Sequence, residues 1–294
     1  MIFSYIFVAC MGEKLYNRKI ISFLLKQNVL SNEKPWRNKT MKTFWNSLIG
    51  AFDMYSIVPM PNVELSKEDV KYSMCFLPLV GAVIGAILCG WRVAYPYLCN
   101  GNFLPAVVFV IVPVIISGGV HLDGFIDVVD AICSNKTMER KLEILGDTHT
   151  GAFALIMTIS YFLIALGVWS EMPIDAVPVL ACGFVMSRAL SGLAAILFPR
   201  AKASKRLESF EDANKKKIVG LTMGVYIVVC AVLMCYLEPL YGSVGVLGGA
   251  ISFAYYYYVS KKHFGGITRA VSGYFIQVCE LIIPCVVLIA WKFL

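Results

Sequence analysis

The sequence predicts an all-α, polytopic integral membrane protein with about seven transmembrane helices, and three observations predict it. The 294-residue chain is 59% hydrophobic and only 15% charged, where a soluble domain carries about 25% charged residues. Its apolar residues fall in runs close to the roughly 20 residues that cross a bilayer. Its basic residues gather in alternate connections between those runs, the pattern of an oriented membrane protein.

The expected spans are 74–91, 103–119, 152–169, 175–198, 218–237, 243–259 and 276–294. Several contain Gly or Pro, which membrane helices tolerate better than soluble ones. "YYYYV" at 255–259 reads as an interfacial aromatic belt. "GAVIGAILCG" is rich in small residues that let helices approach closely, either within one chain or between copies, so a homo-oligomer stays open.

The connection at 199–217 carries Arg200, Lys202, Lys205, Arg206, Lys215, Lys216 and Lys217. The one at 260–270 carries Lys261, Lys262 and Arg269, and 120–151 carries Lys136, Arg140 and Lys141. By contrast 92–102 has only Arg92, and 170–174 and 238–242 have no Lys or Arg. Basic loops stay in the cytoplasm, so the chain is expected to run N-inside and C-outside, with Lys292 as one misfit. The net charge of +7 therefore describes orientation in a lipid bilayer, and no nucleic-acid partner is expected.

Residues 1–40 read as an N-terminal extension and 41–294 as a single membrane-embedded domain. "MIFSYIFVAC" is too short to span, and no signal-peptide cleavage pattern follows it. Either Met41 is the start or a surface helix precedes it. "MKTFWNSLIGAFDMYSIVPMP" reads as an amphipathic or re-entrant element. The ten cysteines include no C-x-x-C, and the three histidines lack zinc-like spacing, so neither a disulfide framework nor a zinc site is expected.

The chemistry concentrates in "GGVHLDGFIDVVDAICSN", residues 118–135. Asp123, Asp127 and Asp130 lie at i, i+4 and i+7, one stripe of a helix, where like charges repel. Glu139, Glu143 and Asp147 follow. A solvated helix face is the bland reading of such a run. Here the stripe abuts apolar spans, where acids are costly and usually functional, and Gly118, Gly119 and Gly124 permit close approach of a ligand. Oxygen donors without cysteine point to Mg²⁺, or a relative such as Mn²⁺. A carboxylate-held metal facing Lys202 and Lys205 suits phosphoryl chemistry. Arg188 lies inside a span, where it pairs with an acid of the site or forms a structural ion pair.

These segments together resemble one family. "GGVHLDGFIDVVDA" followed by "ERKLEILGDTHTGAFALI" is similar to the signature region of cobalamin synthase, the adenosylcobinamide-GDP ribazoletransferase family. "AFDMYSIVPMP…MCFLPLVGAVIGA", "FPRAKASKRLESFEDANKKK" and "FGGITRAVSGYFIQVCEL" resemble its opening, middle loop and last block, in order. The resemblance implies a Mg²⁺-dependent enzyme of the bacterial cytoplasmic (inner) membrane with its active site facing the cytoplasm. It would join adenosylcobinamide-GDP to α-ribazole or α-ribazole 5′-phosphate, releasing GMP. Asp123, Asp127 and Asp130 would be metal ligands, and Asp147 a fourth ligand or a base. His121 would donate to a phosphate or orient a carboxylate, or else cap and pack the helix. Gly118, Gly119, Gly124, Arg188, Lys202 and Lys205 would contact substrate.

The chain departs from the family pattern in the last block, which reads G-G-[IV]-T-G-D there. Here "GGITRA" places Arg269 and Ala270 at the Gly and Asp positions. Gly146 also stands where a basic residue is common. A catalytically silent member is therefore one alternative. Another is a membrane phosphotransferase of the CDP-alcohol type, but "DGFIDV" lacks that pattern's Ala-Arg pair. A cation transporter would spread its acids over several spans, and here they crowd one loop.

Overall fold

The computed structural model describes residues 39–98, 101–147, 149–201 and 213–293. The expected extension therefore lies almost wholly outside the described residues, as do Lys202 and Lys205. Eleven α-helices and no β-strand occur among the described residues. They are α1 (Lys39–Tyr55), α2 (Lys67–Ser73), α3 (Leu77–Leu98), α4 (Phe103–Ile116), α5 (Val120–Cys133), α6 (Met138–Ile144), α7 (Ala152–Glu171), α8 (Val177–Leu197), α9 (Ala213–Leu237), α10 (Pro239–Phe264) and α11 (Arg269–Phe293).

Burial follows the side chains' chemistry. The central helix is α8, which packs against α3, α9, α10 and α11. Its most apolar window is 78% buried, against 17% for α7 and 22% for α9. The last two present bulky apolar surface outward, Phe153 and Leu221 among it. Water would penalise that surface, and a lipid solvent would not.

Five helical segments are long and apolar enough to cross a membrane: 68–98, 152–171, 174–197, 216–237 and 269–293. A sixth span results if α4 and α5 count as one, bent by 93°. The bend occurs where Gly118 and Gly119 take φ of 63° and 73°, a left-handed region that side chains avoid. The expected span 243–259 falls within α10, which is long enough but not among the apolar candidates. The reason is composition. Gly242, Gly245, Gly248, Gly249 and Ser252 are buried against protein, so small residues replace the bulky ones that lipid-facing helices use.

The small-residue stretch of α3 works within the chain. A Cβ on Gly81 would collide with the Phe184 carbonyl of α8, and one on Gly85 would come 2.9 Å from the Ala181 carbonyl. The amphipathic segment is also helical. Met41, Phe44 and Trp45 of α1 are exposed while Ala51 and Phe52 are buried. A capping box starts α2: Asp69 N–H donates to Ser66 Oγ at 3.2 Å and Ser66 N–H to Asp69 Oδ2 at 2.9 Å. Asn46 donates to the same carboxylate at 3.2 Å and ties α1 to α2.

The two ends of the bundle differ in charge. At one end Arg92 pairs with Asp175 at 2.7 Å and Lys292 with Glu171 at 3.0 Å. The misfit Lys292 is thus neutralised locally. At the other end the chain after α8 is clasped to the α10–α11 turn, with Ile267 N–H donating to the Pro199 carbonyl at 2.8 Å and Ala201 N–H to the Ile267 carbonyl at 3.2 Å. "GGIT" is that clasp: Gly265, at φ 66°, ends α10, and a Cβ on Gly266 would collide with Arg200 and Ala201.

Gly81→Ala is expected to lower the unfolding midpoint in detergent, at a cost of about 1–3 kcal/mol for overpacking. Gly90→Ala, with nothing within 4 Å of its added methyl, should leave the midpoint unchanged or raised. Equal midpoints would refute the α3–α8 contact.

Candidate functional site

The acidic stripe sits on α5 as the spacing predicted. Fourteen residues rise about 21 Å, less than the ~30 Å hydrocarbon core, so α5 is not itself a span. Its inner face is nailed to α11. A Cβ on Gly124 would lie 2.7 Å from the Ala270 carbonyl, and one on Gly273 would lie 3.2 Å from the His121 carbonyl. Gly124 therefore serves helix packing rather than ligand approach. Gly118 packs under Ile57, whose N–H donates to the Ile116 carbonyl at 2.9 Å.

With that face fixed, Asp123 is exposed and Asp127 and Asp130 are half-buried. Burial raises the pKa of Asp123. Asp127 is pushed up to about 7, first by burial, then by the neighbouring charges of Asp123 and Asp130. Asp130 lies over Gly151, where any Cβ would strike its carboxylate. That contact brings the 147–151 connection to the stripe. Asp147 there accepts the His149 N–H at 3.0 Å and meets His149 Nδ1 at 2.8 Å.

No three His, Cys, Asp or Glu side chains converge as a metal cluster among the described residues. Seven residues of helix separate Asp123 from Asp130 by ~10 Å, so one ion cannot take all three. The stripe fits a Mg²⁺ ion that binds one or two carboxylates and leaves its other positions to water and phosphate, as Mg²⁺ usually does. The raised pKa of Asp127 supports this fit, because a nearby cation would relieve it.

His121 and Arg188 belong to a different place. His121 is buried, pointing away from the stripe, and its pKa is pushed down to about 3 by burial and by the Arg188 charge. Arg188 is 0% exposed. Its guanidinium pairs with Glu280 of α11, donates to the Phe184 carbonyl at 2.8 Å, and lies beside Ser187. The partner of Arg188 is thus not an acid of the stripe, and the pairing is a structural one inside the bundle. The signal for Glu280 in the sequence was a lone acid in the last apolar run. Arg188 Nε and Nη2 and His121 Nε2 are buried without a hydrogen-bond partner.

Ala270 and Arg269 sit at the first turn of α11, with Ala270 against α5. Arg269 is exposed, and its charge partly offsets the burial that raises the Tyr55 hydroxyl pKa. A lysine and a histidine meet across 122 residues: Lys141 Nζ lies 3.1 Å from His263 Nδ1. Spacing in the sequence carries no trace of that contact. Arg140 pairs with Glu143 on α6.

Comparison with known proteins identifies the family. The family model described as cobalamin-5-phosphate synthase matches residues 47–288. An adenosylcobinamide-GDP ribazoletransferase of Lachnoclostridium phytofermentans is 39% identical over 245 residues, covering 83% of this chain and 94% of that protein. Proteins of the same description from Clostridium botulinum strain Alaska E43 and Citrobacter koseri are 34% and 30% identical, covering 82% of this chain and 96% and 97% of their own lengths. No solved structure matches the chain.

Glu280→Leu should destabilise the protein by about 3–5 kcal/mol, because it strands a buried guanidinium. Combining it with Arg188→Met should restore most of that loss in chemical unfolding. A double variant no more stable than the single one would mean that Arg188 has another essential partner.

Proposed function

The chain belongs to the cobalamin-5-phosphate synthase family, and on that premise we propose that it is an adenosylcobinamide-GDP ribazoletransferase. It takes the adenosylcobinamide phosphate from adenosylcobinamide-GDP, joins it to α-ribazole or α-ribazole 5′-phosphate, and releases GMP. The observation that carries this reading is the carboxylate stripe of α5, held outward at the end of the bundle where the basic connections gather.

In the transfer, the ribazole hydroxyl oxygen bonds to the phosphorus attached to cobinamide. The phosphorus–oxygen bond to the GMP phosphate breaks, and its electron pair leaves with GMP. One or two of Asp123, Asp127 and Asp130 would hold a Mg²⁺ ion, which when bound would neutralise the diphosphate and the departing phosphate. Asp147, exposed and four residues before the Gly151 that meets Asp130, takes the hydroxyl proton, and His149 orients its carboxylate. Lys202 and Lys205, in the basic connection after α8, hold the phosphates. His121, turned inward, seats α5 and leaves the phosphates to those lysines.

The membrane is a bacterial cytoplasmic membrane and this end faces the cytoplasm, a reading supported by the positive-inside pattern of the connections. The outward apolar surfaces of α7 and α9 face lipid. A catalytically silent protein is the second reading, favoured by Ala270 standing against the acidic helix, with Arg269 before it.

Purified protein in nanodiscs, given adenosylcobinamide-GDP, α-ribazole and Mg²⁺, should release GMP and form a cobamide, and a chelator should stop both. Asp127→Asn is expected to lower the rate by about 10²-fold or more without altering the unfolding midpoint downward, and Asp123→Asn and Asp130→Asn should follow it. Full activity in all three would make the stripe structural. Ala270→Asp should raise GMP release if the departure weakens the site, and an unchanged rate would remove position 270 from the chemistry.

A further inference from the structure

We propose that Lys141 and His263 form a phosphate-binding seat at the same end of the bundle. This rests on the ribazoletransferase reading for the identity of its substrate, but not for its chemistry. Lys141 is 7% exposed, and a buried ammonium is costly unless it is paired. No carboxylate pairs with it among the described residues; its polar contact is His263 Nδ1 at 3.1 Å. An ammonium can only donate, so Nδ1 accepts and the ring proton resides on Nε2. The pair therefore offers the remaining ammonium N–H groups and the Nε2–H, three donors with a positive charge and no acceptor. Such a set matches the oxygens of a phosphate group.

The surroundings fit that assignment. Lys141 lies on α6, which packs on both the acidic helix α5 and the C-terminal end of α10, and Met138 of α6 rests on Gly265. Lys261 and Lys262 fold back over Tyr257 and Tyr258, with Lys262 Nζ donating to the Tyr258 hydroxyl at 2.6 Å. They add positive field without filling the seat. His263 is half-buried, so its edge is the side from which an anion arrives. The phosphate belongs either to the nucleotide part of the activated substrate or to an anionic lipid headgroup, and one experiment separates them.

Binding of inorganic pyrophosphate and of GMP would be measured by calorimetry on full-length protein in phosphatidylcholine nanodiscs, with no turnover required. Lys141→Met should weaken binding about tenfold or more, the loss expected for a charge-assisted hydrogen bond, and Lys141→Arg should restore much of it. If the phosphate is a headgroup, Lys141→Met will leave pyrophosphate binding unchanged. It will instead abolish the rise in unfolding midpoint caused by adding phosphatidylglycerol to the nanodiscs. Should Lys141→Met fail to fold, His263→Ala keeps the lysine stem packed and reads the same two signals. Unchanged anion binding and an unchanged lipid effect would overturn the seat. That outcome is distinct from failure of the transferase reading, which is decided by GMP release and the Asp127→Asn rate.

Discussion

A guanidinium with no access to solvent must meet its counter-charge inside the protein, and the crossing of α8 and α11 is arranged around that demand. Arg188 and Glu280 lie at 0% and 5% side-chain exposure. Leaving either alone in an apolar interior costs far more than an ordinary packing defect. The pair therefore sets the register of α11 against the central helix. Two turns before Glu280, Gly273 touches the backbone at His121, and one turn earlier Ala270 touches Gly124. The position of the acidic helix is thus inherited from a charge pair that takes no part in its chemistry.

That inheritance explains why α5 keeps one face so bare of bulk. With Gly124 pressed against α11, the carboxylates on the other side are turned outward, Asp123 exposed and Asp127 and Asp130 half-buried. Asp127 is pushed up to about 7, first by its burial and then by the charges of Asp123 and Asp130 beside it. On α6, Lys141 has the opposite problem, a positive charge that among the described residues meets an imidazole and no carboxylate. A folded chain keeps such unrelieved charges of both signs at the cost of stability, which is the pattern of a site adapted to a charged ligand rather than to itself.

Glycine does three different jobs at this end. Gly118 and Gly119 turn the chain by adopting a left-handed backbone, and Gly265 ends α10 in the same way. Gly124 and Gly273 are close-approach positions between helices. Gly151 leaves room for Asp130. A sequence shows all of them as flexibility near a candidate site, yet packing accounts for Gly124 and Gly273 and a turn for Gly118, Gly119 and Gly265.

What the sequence by itself determined was the class of the fold, most of the spans and the acidic stripe, because each is local. Apolar runs of span length, a period of 3.6 residues and the sorting of lysine and arginine between connections all follow from neighbours along the chain. The inward turn of His121, the pairing of Arg188 with Glu280 and the meeting of Lys141 with His263 were decided by tertiary structure alone. Contacts across 92 and 122 residues depend on which helix faces cross and at what register, and periodicity carries no information about that. The segment expected to span at 243–259 lies in a 26-residue helix whose burial was likewise decided by tertiary packing. Its small residues answer to the helices packed against them, a requirement that hydropathy along the chain does not contain.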